Sequence, residues 1–279
     1  MFEQGIKTGL SGPDLFMNAG FLPRTVNLIA GRPGMGLTSL ALTIAMNAAT
    51  EGKTIAYYSL RDSRTELANR IVQASMELVR PSFELSGREA CESLGSLLGN
   101  LSRLPIYIDD RTDLTPIKLW ERYESFGKAL VRPDLVIVDT FGRLLGNWHD
   151  ETGKTKAAEI SRALDDFAKK HDIPVLIVDQ VPLNVEFRDD KMPVLSDIAY
   201  TELDKIASNV IFIHRPFYYK VDELIEDCDD DDPPEIPRFQ DVQLILAKCP
   251  DTDIPIEFDV KWDRELKIFY EENRKGDVI

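Results

Sequence analysis

Cysteine is scarce in this chain: Cys91, Cys228 and Cys249 are its only three, far apart in sequence, with no CxxC pair. That spacing excludes a disulfide framework and offers no zinc-ligand pattern, so free thiols in a reducing compartment are expected. Long apolar runs are missing as well. Nothing approaches the roughly 18 residues that a membrane span needs. The stretch Met1 to Leu10 carries no apolar segment of the signal-peptide kind, which points to a cytosolic protein outside the membrane. Basic charge is in short supply: 33 lysines and arginines face 48 acids, for a net charge of −15. A broad nucleic-acid surface needs the opposite balance, because phosphates are contacted by Lys and Arg. Only a local basic stripe is compatible with this composition.

The chain does have enough apolar material for a core. Its 279 residues are 43% hydrophobic, sufficient for one large domain or two small ones. Short apolar, β-rich runs recur at Val26 to Ala30, Thr54 to Leu60, Leu135 to Val138, Pro174 to Val178 and Asn209 to His214, with a weaker sixth at Leu104 to Ile108. They are continuous rather than alternating, as expected of strands covered on both faces by helices. Helical signals lie between them. Thr38 to Thr50 ends near Gly52, and Ser63 with Glu66 forms a capping box ahead of Leu67, Ile71, Ala74 and Leu78. Thr115-Pro116 opens another helix, and Ile160, Leu164, Phe167 and Ala168 form an apolar stripe. Strands alternating with helices give an α/β fold with a mostly parallel sheet.

After His214 the pattern turns to strands without long helices, at Val242 to Ala247, Ile256 to Val260 and Leu266 to Tyr270. These predict antiparallel additions at the C-terminal sheet edge. Two segments read as loose: Val181 to Met192, and the aspartate-rich run Glu226 to Glu235. A solvated loop is the expectation for the second, ahead of a calcium site. Trp120, Tyr123 and Phe126 share a helix and are expected in the core rather than on a partner surface.

The chemistry concentrates at Gly31-Arg32-Pro33-Gly34-Met35-Gly36-Leu37-Thr38, between a strand and a helix. The spacing is that of the phosphate loop GxxxxGK[ST], with Leu37 in the lysine position. Gly31, Arg32, Gly34, Met35, Gly36, Leu37 and Thr38 are the candidate nucleotide-binding residues here. Their backbone N–H groups and the helix dipole suit phosphate oxygens, and the Thr38 hydroxyl suits a magnesium ion. A lysine ammonium about 4 Å from a phosphate charge is worth on the order of 4 kcal/mol at an effective dielectric of about 20. Leucine supplies none of it. Leu135-Val136-Ile137-Val138-Asp139 is an apolar strand ending in an acid, the pattern in which a carboxylate holds magnesium. Asp139 and Thr38 are therefore the candidate metal residues.

With these motifs the chain resembles the RecA-like motor domain of DnaB-type replicative DNA helicases over nearly its whole length. The shared stretches, in order, are Gly5-Ile6-Lys7-Thr8-Gly9, Ala30 to Thr38, Tyr57-Tyr58-Ser59-Leu60, Ile106-Tyr107-Ile108-Asp109-Asp110 and Val136-Ile137-Val138-Asp139. Glu159-Ile160-Ser161-Arg162-Ala163-Leu164, Ile173-Pro174-Val175, Gln180, Leu195-Ser196-Asp197-Ile198, His214-Arg215 and Leu246-Ala247-Lys248 follow. The resemblance implies a single RecA-like P-loop NTPase domain over residues 1–279. The family's N-terminal collar and linker helix are expected to be missing.

The resemblance also assigns roles, several at altered positions. Gln180 matches a γ-phosphate-sensing glutamine, Arg70 an arginine near the nucleotide base, and Lys248 a lysine serving a neighbouring subunit's nucleotide. The water-polarising glutamate of the family is Arg61 here, and the arginine finger is Pro250. The DNA loop reads Ser196-Asp197-Ile198-Ala199-Tyr200, without the family's arginine at Ala199. Loss of a finger alone can cost on the order of 10³ to 10⁵ in rate. With Leu37, Arg61 and Pro250 as degenerate catalytic positions, a pseudo-ATPase is expected, serving as a binding or regulatory module in DNA replication. ATP and Mg²⁺ are then bound weakly or not at all. Its partner would be a helicase or another replication protein, and the altered loop (Ser196, Ala199, Tyr200) disfavours single-stranded DNA. Two alternatives stay open. One is an active DNA-dependent ATPase or helicase in which Arg32 or Lys248 replaces the lysine and Asp62 the glutamate. The other is a nucleotide sensor that binds without hydrolysis. The oligomeric state is open too.

Overall fold

The computed structural model describes residues 5–17, 20–79, 95–96, 99–129, 131–145, 151–226, 236–250, 252 and 255–271. Cys91, Cys228 and the aspartate-rich run 227–235 lie outside them. A single nine-stranded sheet organises the chain, in the order β3-β2-β4-β5-β1-β6-β7-β8-β9. The strands are β1 Val26–Gly31, β2 Ile55–Ser59, β3 Ile106–Asp109, β4 Leu135–Asp139, β5 Val175–Gln180, β6 Ala207–His214, β7 Phe239–Lys248, β8 Ile256–Asp263 and β9 Ile268–Tyr270. From β3 through β6 all neighbours are parallel. From β6 to β9 they are antiparallel, as the C-terminal sequence pattern predicts.

The continuous apolar runs have the expected cause. Every residue of β1, β2 and β4 is buried, and helices cover both sheet faces. On one face Ile29, Tyr57, Ile137, Val178 and Ile211 pack with Leu40 and Ile44 of the helix Leu37–Thr50. On the other, Leu28, Val138, Ile177 and Phe212 pack with Tyr123, Leu164 and Phe167. The last three come from the helices Pro116–Ala129 and Glu151–His171. Burying each such side chain contributes about 1.5–3 kcal/mol.

The local signals hold as well. Ser63 and Glu66 cap the helix Arg64–Val79 reciprocally: Ser63 N donates to Glu66 Oε2 at 2.8 Å and Glu66 N to Ser63 Oγ at 3.2 Å. Thr115 Oγ1 accepts from Lys118 N at 3.2 Å and caps the helix that Pro116 begins. Tyr123 is 1% exposed, Trp120 packs edge-on against Phe167, and Phe126 meets Tyr107, so this stripe serves packing.

Two expectations are corrected. The region after His214 contains the helix Pro216–Glu226, which alternating aromatic and charged residues behind a proline concealed. The segment 181–192 is not loose. It folds into a 3-10 turn, Leu183–Phe187, whose Val185 is fully buried. Glu186 and Arg188 are taken up by ion pairs with Arg32 and Asp197.

Candidate phosphate-loop site

The site lies at the C-terminal ends of the parallel strands, where β1 runs through 32–36 into the helix Leu37–Thr50. The register sets Gly31 beside Gln180 of β5 and Ile213 of β6. Two glycines make the turn possible: Gly34 and Gly36 have φ of 86° and 100°, where an L side chain is strained. Both are also crowded. A Cβ on Gly34 would come 2.8 Å from Tyr218 Cε2, and one on Gly36 2.9 Å from Phe269 Cζ.

The metal candidates are brought together. The Thr38 hydroxyl lies near enough to the Asp139 carboxylate to favour its charged form, and Tyr57 Oη donates to Asp139 Oδ2 at 2.8 Å. Burial pushes the Asp139 carboxyl above the usual range, against these contacts. Asp62 raises it further and Arg61 pulls it down, so both lie within electrostatic reach. This hydroxyl–carboxylate pair fits a hard divalent cation.

The phosphate side fits less well. Leu37 is 8% exposed and belongs to the apolar core. Its Cδ2 lies 3.5 Å from where a Gly31 Cβ would stand, so the side chain folds back across the start of the loop. Arg32 is turned to the segment after β5. Its Nε meets Glu186 Oε1 at 2.7 Å and its Nη1 donates to the Val181 carbonyl at 2.9 Å. Arg61 is largely exposed, 4.0 Å from Asp62. Arg70 pairs with Asp62 at 3.0 Å. Met35 is buried, and its N–H turns back to the Arg32 carbonyl at 3.2 Å.

The remaining candidates are not gathered at this loop. Lys248 stands on β7 opposite Val210, with its ammonium on the Asp204 carbonyl and 3.7 Å from the Asp204 carboxylate. Pro250 is exposed in the turn beyond it. Ser196 and Ala199 are exposed, while Tyr200 is half-buried with its ring 5.4 Å from Phe141.

Sequence reasoning missed the residues that brace the loop. Arg215 Nη1 donates to the Gly34 carbonyl at 2.8 Å and Nη2 to Gln240 Oε1 at 2.7 Å, with the guanidinium 4.9 Å from the Trp262 ring. Burial lowers its pKa to about 10. A cavity of about 360 Å³ beside Gly34 is lined by Arg215, Tyr218, Gln240, Trp262 and Lys267. The stretch His214-Arg215 was visible as a family match, but no local pattern announced Trp262 or Tyr218 as its neighbours. A larger cleft, about 910 Å³, lies at the β3 edge between Tyr107 and Arg122, away from the phosphate loop. Also missed was the ion pair of Arg188 with the buried Asp197, at 2.7 Å, which closes the loop before Tyr200.

A phosphate loop between strand and helix, a strand-terminal acid facing its threonine, and a parallel sheet with added antiparallel strands define a RecA-like ATPase-type domain. The family model of the DnaB-like helicase C terminal domain matches residues 5–270, and the chain belongs to that family. It is 32% identical over 225 residues to the replicative DNA helicase DnaC of Bacillus subtilis, covering 77% of this chain and 48% of that protein. It is 30% identical over 224 residues to the replicative DNA helicase DnaB of Geobacillus stearothermophilus, covering 78% and 49%. The chain thus spans about half the length of these relatives. Among solved structures, a DnaB-like replicative helicase, described with its interactions with primase, superposes with a TM-score of 0.77 at 23% identity, covering 96% of this chain and 62% of that one. The RadB recombinase shares the fold more distantly, with a TM-score of 0.57 at 18% identity over 95% and 99%. Among the described residues no helix is long and apolar enough to cross a membrane.

Proposed function

We propose that this chain is a helicase-type motor domain whose phosphoryl-transfer site is impaired and which serves as a binding or regulatory module in DNA replication, in the cytosol. One observation carries this reading. The lysine position is a leucine buried in the core, and both cations weighed as its replacement are engaged elsewhere, Arg32 by Glu186 and Lys248 by Asp204. Magnesium is accommodated by Thr38 and Asp139, but the outer phosphates lack their cation, so Mg–ATP binds weakly or not at all. Arg61 in place of a carboxylate and Pro250 in place of a guanidinium remove water activation and the neighbour's contribution. A replication protein is the proposed partner, in keeping with the primase interactions described for one solved relative. The test is calorimetry with Mg–ATP on the wild type and Leu37→Lys. Restoring the ammonium should tighten binding at least about fivefold, because a close cation–phosphate pair contributes on the order of 1–4 kcal/mol. Equal affinity in the two proteins would show that another group already supplies the charge.

One observation favours a second reading, an active DNA-dependent ATPase. The Asp62 carboxylate lies close enough to Asp139 to shift it, as a replacement base must. Arg70 holds Asp62 at 3.0 Å, which argues against a free base. Turnover lost in Asp62→Asn but kept in Arg61→Ala would establish this second reading.

A further inference from the structure

The only ion pair that the described phosphate-loop residues 31–38 make is with the segment after β5. Arg32 offers its Nε to Glu186 at 2.7 Å and its Nη1 to the Val181 carbonyl at 2.9 Å, while Val181 N–H donates to the Gly31 carbonyl at 3.0 Å. The Arg32 side chain is 14% exposed and that of Glu186 31%, so the pair is partly desolvated. Further along the same segment, the Lys191 ammonium lies 4.8 Å from the Tyr219 ring centroid and Arg188 holds Asp197. The segment is therefore fastened to the phosphate loop at its start, to the helix Pro216–Glu226 through Lys191, and to itself through Arg188 and Asp197. Two apolar side chains flank Glu186 unsheltered: Leu183 is 54% exposed and Phe187 82%. Val185 is the buried apolar anchor of this turn. A guanidinium binds a carboxylate and a phosphate through the same planar fork, and it cannot serve both with the same donors.

We propose that Glu186 is an internal competitor for the phosphate loop: its carboxylate occupies Arg32 until a polyphosphate anion displaces it, and the displacement frees the segment 182–198. This rests on reading the loop as a phosphate cradle. It adds a regulator of that cradle and a route by which occupancy reaches Ser196, Ala199 and Tyr200. The linkage is reciprocal: whatever tightens the segment against Arg32 weakens anion binding, by the factor with which the anion loosens the segment.

The probe is magnesium-free inorganic tripolyphosphate, titrated by calorimetry into the full chain and into Glu186→Gln, Arg32→Gln and the double variant. Amide hydrogen exchange of 182–198 is followed in parallel. Glu186→Gln should bind tripolyphosphate roughly fivefold or more tighter than the wild type. Its segment should exchange fast without ligand, whereas the wild-type segment becomes fast only when tripolyphosphate is bound. Arg32→Gln should bind more weakly, and adding Glu186→Gln to it should change nothing. Arg32→Lys, which keeps the charge without the fork, should fall between them. Equal affinity of the wild type and Glu186→Gln overturns the proposal. So does unchanged exchange on saturation, or no binding by any of the proteins at millimolar probe. ATP turnover is not read in this experiment, so the impairment proposed above fails or stands on separate data.

Discussion

Asp179 is a buried acid that the site chemistry does not use. It lies near the end of β5 on the face opposite Asp139, accepting from Gly142 N at 3.1 Å and lying 3.4 Å from Thr140 Oγ1. Burial raises its pKa to about 6 from 3.8, against those hydrogen bonds. An acid raised on folding contributes most to stability below its unfolded pKa, and that contribution fades as pH climbs through the folded value. The loss is centred between about pH 4 and 6 and amounts to about 3 kcal/mol at most. Asp179→Asn should therefore gain thermal stability relative to the wild type as pH is raised from about 4.5 to 7.5. Melting curves with parallel pH dependence would show that Asp179 titrates normally. Tyr57 makes the complementary case. Its phenol is fully buried on Asp139, and burial together with that contact pushes its own pKa well up. Tyr57→Phe leaves Asp139 with one donor fewer in an apolar setting, at an expected cost of about 1–3 kcal/mol in urea unfolding.

Among the elements, the brace around the phosphate loop has the clearest energetic signature. The helix Pro216–Glu226 lays Tyr218 on Gly34, and β8 and β9 bring Trp262 and Phe269 against Gly36. Gly34→Ala meets both a positive φ and the Tyr218 ring, so it should destabilise by about 1–3 kcal/mol. Tyr218→Ala removes only the steric part. A double-mutant cycle by chemical denaturation should give a coupling of at least about 0.5 kcal/mol. Strict additivity would place the whole cost in the backbone.

This brace also marks how far sequence could be read. The central strands were legible because double burial leaves an unbroken apolar run, and the helix starts because Ser63, Glu66 and Thr115 cap locally. The phosphate loop and Asp139 were legible because their chemistry fixes the spacing. The helix Pro216–Glu226 was not, since it mixes aromatics and acids and takes its place from tertiary contact. Arg215 on Trp262 joins residues 47 positions apart. Arg32 on Glu186 joins residues 154 apart, and no local pattern encodes such a pair.

At the scale of the molecule, one continuous sheet positions every part of the candidate site. The order β4-β5-β1-β6 sets Asp139, Gln180, Gly31 and His214 along one edge of the parallel strands. The antiparallel extension β7 to β9 then returns the chain to the loop. The fold is that of a RecA-like ATPase-type domain, with Thr38 and Asp139 near each other at its loop. On the proposed reading, the altered parts are the positions where charge must be supplied: Leu37 inside the loop, Arg61 beyond β2 and Pro250 beyond β7. Those changes act on different steps, so their effects on rate should multiply. The most direct test is steady-state ATP hydrolysis by the purified full chain with Mg²⁺, with and without single-stranded DNA, against Asp139→Asn. Rates indistinguishable from Asp139→Asn under both conditions are the predicted result. Turnover stimulated by DNA and abolished in Asp139→Asn would contradict the account.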